Sequence, residues 1–316
     1  MKLQKTIVAP PYKYSAWPML GKFNDKLVCI YTIANMHSAT ESSLVMKTSE
    51  DGISWSEGKE ILPEKTKVKG ITGTGNDSRG NMLIWYRDGY PGAPDTTHEV
   101  YRTDGEDITL ISKPEFSFNG AHIGNIFTVA DKYLFSFYNT YGPKRSWGVL
   151  ISSDDGITWE QREIETLVDK SECPVEIDGF YTQDGKIFAL GRKDSGDGTV
   201  AMFQLRSIDL GKNWSKKYTN ITDSLQTSPC IIYDSDTINL YYFHRGTGTL
   251  KRRVTRLENI WDSPLSWTEP EILITEPFKG EDTGNVKAVA LGDMHFATYY
   301  AGTPTTTAIL GVTIND

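Results

Sequence analysis

The sequence predicts an all-β fold: a six-bladed β-propeller closed by pairing of its N- and C-terminal strands. Three observations predict it. A turn motif ending in tryptophan recurs along the chain, a second series of Asp-containing turns runs at a similar spacing, and the N-terminal strand lacks a partner in its own repeat. Residues 1–316 are read as a single propeller domain.

The first observation rests on "SSDDGITW", residues 152–159, which returns as "TSEDGISW" ending at Trp55 and "SIDLGKNW" ending at Trp214. Each copy has Ser or Thr first, an acid third and Gly fifth. An acid there accepts hydrogen bonds from turn N–H groups, Gly takes the positive φ, and Trp is expected to pack back against the next strand. The three tryptophans lie 104 and 55 residues apart, a unit near 52 with one copy degenerate. "YRTDGEDITLI" from Tyr101 fills the missing place, and Trp267 in "SPLSW", 53 residues after Trp214, marks an eroded fifth copy.

The second series is an Asp turn before a short apolar run, at Asp25, Asp77, Asp131, Asp184, Asp234 and Asp293, with intervals of 50 to 59 residues. Units of this length built from short strands, with almost no helical pattern, make four-stranded propeller blades. The last unit has room for three strands before Asp316, so the orphan strand "LQKTIVA" completes it and removes an open sheet edge.

Composition narrows the function. A net charge of −8 and a pI near 5.3 argue against a nucleic-acid partner, which asks for a basic face. The N-terminal stretch lacks the apolar core of a signal peptide and no run approaches the roughly 20 residues of a membrane span, so no membrane insertion is expected. A cytoplasmic protein or a virion component released by lysis fits. Cys29, Cys173 and Cys230 are odd in number and lack metal-ligand spacing, which predicts reduced thiols, no metal and no cofactor.

The tryptophan turns resemble the Asp-box, or bacterial neuraminidase repeat, of the sialidase superfamily, whose members are six-bladed propellers. The first copy carries Glu50 in place of Asp and the third Asn213 in place of Ser or Thr. Strand parity puts both turn series on one face, so chemistry belongs on the other, where residues closing the B strands ring the channel: Tyr31, Arg87, Tyr138, Arg192, Arg245 and Tyr300. Three guanidiniums there suit a carboxylate.

The resemblance implies three carboxylate-binding arginines, a tyrosine nucleophile assisted by glutamate, and an aspartate acid/base. Glu176, opening a strand in "ECPVEIDGFY", and Arg192, closing the next, match the glutamate and second arginine, and Arg245 in "YYFHRGTG" matches the third. Other positions depart from the pattern. "YSAWP" has Ala16 or Trp17 for the first arginine, "GEDTGNVKAVAL" has Asn285 and Lys287 for the tyrosine, and "ANMHSATES" has His37 and Glu41 for the aspartate. Arg87 is a substitute arginine, and Tyr300 or Tyr90 a substitute phenol. Trp17, Trp147 and His122 are placed towards the same face, and the loop "RDGYPGAPDTTHE" is expected to overhang the pocket.

Each residue has a structural alternative: ion pairs of Arg192 and Arg245 with Glu176 and Asp178, of Arg87 with Asp88, of Lys287 with Glu281 and Asp282, and a backbone-bonded His122. Two functions stand side by side. One is a glycoside hydrolase acting on a glycan with a terminal anionic or unusual sugar, using Glu176, Arg192 and Arg245 with Arg87, Trp17, His122, Lys287 and Tyr300 around them. The other is a glycan-binding propeller without catalysis. A scaffold with a protein partner takes third place.

Overall fold

A computed structural model of the chain describes residues 1–63, 68–118, 120–194, 201–225, 227–280 and 282–315. The strands form six four-stranded sheets. Their innermost A strands are Tyr14–Phe23, Lys69–Asn76, His122–Val129, Pro174–Tyr181, Cys230–Asp234 and Thr283–Leu291, for blades one to six. Each A strand packs against the next, and that of blade six meets that of blade one, closing the ring. Lys2–Ala9 pairs antiparallel with Thr306–Asn315 as the outer strand of blade six, so the predicted closure holds.

Six hydrophobic clusters fill the ring, one between each pair of neighbouring blades. Period-2 alternation produces them: along the second strand of blade two, Met82, Ile84 and Tyr86 face blade one, whereas Leu83 and Trp85 face blade three. Burying one such side chain contributes about 1.5–3 kcal/mol. Trp147, placed by sequence near the functional face, is 1 % exposed inside the cluster between blades three and four, and its indole donates to Glu165 at 3.0 Å.

Both turn series lie on one face, as parity requires. In blade three the Ser152 hydroxyl accepts from Gly156 N (2.9 Å), Asp154 accepts from Thr158 N (2.9 Å), and the Trp159 indole donates to Gly156 O (2.9 Å). Blade four repeats this with Ser207, Asp209, Gly211 and Trp214, Asn213 doing through its amide what Thr158 does through its hydroxyl. Blade two keeps a remnant, in which Gly105 N donates to Thr103 and two backbone N–H groups donate to Asp104.

Two details of the tryptophan-turn reading change. In blade one the accepting acid is Asp51, which takes bonds from Ile53 N and Ser54 N at 2.8 Å, and not Glu50. This copy is one residue shorter: its hydroxyl-to-Gly step runs from Ser49 to Gly52, against Ser152 to Gly156. The tryptophans, moreover, pack across blades. Trp55 meets Phe296 of blade six, Trp159 meets Trp85 of blade two at 4.7 Å, and Trp214 meets Phe137 of blade three. Trp267 reaches back to Phe188 in the same sense, beyond a five-residue helix, Leu257–Trp261. No helix among the described residues is long and apolar enough to cross a membrane.

Candidate functional site

The opposite face holds the B–C loops and the entries into the A strands, and a cavity of about 330 Å³ opens there. Its walls include Trp17, Arg87, His122, Tyr141, Glu176 and Lys287, drawn from five blades. A repeated backbone device aims several of them. The pairs Ala16–Thr32, Val175–Arg192 and Gly284–Tyr300 occupy one register, and in each A strand a bulge follows at once. The next residue in each case, Trp17, Glu176 and Asn285, has φ of 52°, 51° and 48°. A non-glycine residue in this region costs on the order of 1–3 kcal/mol, and bulges re-aim side chains. All three line the cavity.

Register also corrects the predicted ring. The residues that point to the same side of the second strand as Arg192 are Thr32, Arg87, Asn139 and Tyr300, paired with Ala16, Gly70, His122 and Gly284, the bulge of blades two and three coming one pair later. Tyr31 and Tyr138 stand one residue earlier, and alternation turns them into interblade cores.

Glu176 is the acidic centre. Its carboxylate accepts a bidentate pair from Arg192 (2.8 and 3.0 Å) and a bond from the Ser228 hydroxyl, while its backbone N donates to Asn139 Oδ1 at 2.8 Å. Burial alone would raise its pKa, but the Arg192 charge and these hydrogen bonds hold it far below the usual carboxylate range. Glu176 is therefore ionised at neutral pH.

The guanidiniums do not converge as expected. Arg192 is engaged by Glu176 and, through Nη1, by Asp194 (3.1 Å), which also binds Arg145. Arg245 donates to Thr283 O (3.2 Å) and to Asn285 (3.4 Å), lying behind the blade-six bulge. Arg87 does line the cavity. Its Nε donates to Gly89 O at 3.1 Å, and it has no ion pair to an acid among the described residues; Asp88 instead accepts from Tyr86. Tyr300 is fully buried against Tyr14 in the interblade core, and not in the cavity wall.

Lys287 is 8 % exposed and lines the cavity with no ion pair among the described residues. Its proposed partner Glu281 lies outside the described residues, and Asp282 leaves its Oδ1 buried without a partner among them. Its charge is felt by Asp178, whose pKa burial raises and whose carboxylate accepts from Asn125 and Ile231 N. His122 is held neutral: burial, with the Lys287, Arg87 and Arg192 charges, pushes its pKa down to about 3 against the pull of Glu176. Its Nδ1 is buried without a partner among the described residues, so the backbone-bonded alternative fails.

Sequence reasoning missed Tyr141, Ser228 and Asn139. Tyr141 follows the second strand of blade three in "NTYGP", a B–C loop that parallels "RDGYPG" with Tyr90 in blade two; that parallel was the available signal. Its pKa is raised by burial and by Glu176, with Arg192 and Arg87 opposing. The 89–96 loop does overhang: Tyr90 and Pro91 wall the cavity, the Tyr90 hydroxyl donates to Ala39 O (3.1 Å), and Gly92 N donates to Gly120 O (2.7 Å). His37, in the loop where an aspartate was sought, lines the cavity and bonds the Tyr14 hydroxyl at 2.6 Å, whereas Glu41 lies in a separate hollow. No group of three or more metal-ligating side chains occurs among the described residues.

No protein-family model matches the chain, and no curated protein does either. Solved structures match in fold. A protein of unknown function from Dyadobacter fermentans is 18% identical, with 99% of each chain covered and a TM-score of 0.80. A mutant of the NanB sialidase from Streptococcus pneumoniae is 12% identical over 96% of this chain and 68% of its own, with a TM-score of 0.72. The α-L-arabinofuranosidase Arb93A from Fusarium graminearum, solved with an iminosugar inhibitor, is 10% identical over 96% of both chains at a TM-score of 0.68. What the chain shares with these proteins is the six-bladed ring, a β-propeller like that of the sialidases.

Proposed function

We propose that the protein is a glycoside hydrolase that removes a terminal anionic sugar from a glycan, within the wider class that the sialidase and arabinofuranosidase folds represent. The observation that carries this reading is Glu176: a backbone bend thrusts an ionised carboxylate into the same cavity as Arg87 and Lys287, two cations without acid partners at bonding distance among the described residues. Arg87 and Lys287 hold the anionic group of the sugar, in place of the predicted Arg192 and Arg245. Glu176 stabilises positive charge at the anomeric carbon, and an ionised carboxylate suits that task and not proton donation. Arg192 positions Glu176 and keeps it charged. Tyr141, whose phenol stays protonated at neutral pH, is the proton-bearing group beside it.

The test is hydrolysis of 4-methylumbelliferyl glycosides of N-acetylneuraminic acid, glucuronic acid and L-arabinofuranose. Turnover is expected on an acidic glycoside, with a 10²–10⁴-fold loss in Glu176→Gln. Preference for the arabinofuranoside would overturn the anionic assignment.

A second reading, recognition without cleavage, is favoured by one observation: Glu176 is the lone carboxylate among the described lining residues, whereas hydrolysis commonly uses two. Binding to acidic glycans on an array, with no turnover of any glycoside by the wild type, would establish it.

A further inference from the structure

A second hollow of about 300 Å³ lies on the same face, over blades two and three, and Tyr141 is part of its wall as well as of the axial cavity's. The overhanging loop divides the two in the same way, with Pro91 on the axial side and Gly92 on the other. Gly92 N is bonded to Gly120 O, and a Cβ on Gly120 would fall 2.2 Å from Gly92 N, so the two segments touch backbone to backbone.

The chemistry of the two hollows differs. The axial cavity holds Arg87, Lys287 and Glu176, whereas the second is lined by Ser117, Thr140, Ser146, Gln161 and Glu163, with no Lys, Arg or His among its described lining residues. Its hydroxyls and amide are already ordered. Ser117 N donates to Gln161 Oε1 (2.9 Å), and Gln161 Nε2 donates to the Tyr138 hydroxyl (3.1 Å). That leaves the Tyr138 proton without an acceptor and the Glu163 carboxylate without a donor among the described residues. A sugar hydroxyl is both acceptor and donor, so it satisfies both groups at once. An anion would meet Glu163 with no cation to offset it. Phe118 adds only an edge, since stacked neighbours Phe116 and Tyr138 cover its faces.

The geometry points to a second sugar subsite, for a neutral, hydroxyl-rich residue that a glycan places across Tyr141 from the anionic sugar in the axial cavity. The order along the ligand, anionic terminus then neutral sugar, rests on the function proposed above. The neutral subsite itself does not.

The experiment is therefore one that reads the subsite without turnover. Isotope-labelled protein is titrated with methyl glycosides of glucose, galactose, mannose and N-acetylglucosamine, and amide and side-chain NMR shifts are mapped. Millimolar binding of at least one is expected, with shifts at Ser117, Thr140, Ser146 and Gln161. Gln161→Ala should weaken it about five- to tenfold, the loss of one hydrogen-bonding group. Glu163→Gln, at an exposed position, should weaken it by a similar factor. Shifts confined to the axial cavity, no shifts with any of the four, or binding unchanged in both variants would overturn the subsite. Failure of the hydrolysis test alone would remove the proposed reaction and leave this map as measured.

Discussion

The two faces of the ring are built from the same repeat, yet they diverge. On the turn face, blades three and four make the same hydrogen bonds from Ser, Asp, Gly and Trp at the same positions, with Asn213 standing for Thr158, and blade one makes them with one residue fewer. On the cavity face, one A-strand register position carries Trp17 in blade one, Glu176 in blade four and Asn285 in blade six. The difference teaches where each constraint acts. A tight turn has backbone N–H groups that must find acceptors, and few side chains supply them. The bulge asks only that a side chain tolerate a left-handed backbone, and its identity is then set by what the cavity needs.

On that division, changes on the turn face should cost stability and spare activity, whereas changes on the cavity face should act on activity, and on folding only where they break an ion pair. The largest effect belongs to Glu176→Ala. It removes the carboxylate from the cavity, and it leaves Arg192, whose side chain is 13 % exposed, without its main partner. Activity should be lost, and stability should fall by about 2–4 kcal/mol because a nearly buried cation loses its partner. Chemical denaturation of this variant beside Glu176→Gln separates the two effects; unchanged stability in the Ala variant would break the claim that Glu176 is the main partner of Arg192.

Next come Arg87→Met and Lys287→Met. Each should raise KM for an acidic glycoside roughly tenfold to a hundredfold, from loss of a charge-assisted contact, and leave binding of neutral methyl glycosides unaltered. Equal losses on both ligand types would show that the cations support the fold and not the ligand.

The pH dependence of folding draws on both faces. His98 and His122 have pKa values pushed from 6.5 down to about 3, chiefly by burial. Below about pH 6.5 the unfolded chain binds protons that the folded chain refuses, so stability falls as pH drops from there towards 3. The turn acids add a second loss. Asp209 is lowered to about 2 by the Asn213 bonds, and Asp51 and Asp154 are lowered as well, so their contribution disappears as pH falls from about 4. His98 lies buried beside Phe118 with neither ring nitrogen partnered among the described residues. His98→Phe should raise stability by about 1 kcal/mol and flatten the loss between pH 6.5 and 4, measured by melting temperature at stepped pH. A steeper loss would refute the assignment.

The smallest effect is expected on the turn face. Asp154→Ala removes the acceptor for Thr158 N and for the Thr158 hydroxyl, at a cost of about 1 kcal/mol, with activity unchanged. A change in substrate preference in this variant would show that the faces are coupled.

Much of the fold was legible because turn chemistry is local. The Asp and Gly of "SSDDGITW" act within eight residues, so their spacing counts blades without reference to the rest of the chain. Blade one misled at Glu50, because a one-residue deletion shifts the functional acid to Asp51 while preserving the appearance of the pattern. At the site, Glu176 and Arg87 were readable from strand ends, but Tyr31 and Tyr138 were assigned one residue out of register. Tyr141 and Ser228 lie in connecting segments, where neither strand periodicity nor turn chemistry marks a residue.

By itself the sequence determined the number of blades, the face on which the turns lie and the strand that closes the ring, because these follow from hydrogen-bonding needs satisfied within each repeat. Tertiary structure alone decided which side chains share a cavity. It set Arg192 on Glu176, turned Arg245 to the backbone of blade six and left Arg87 and Lys287 facing open space. Such pairings depend on distances between residues far apart in the chain, which closure of the ring establishes and no local pattern records.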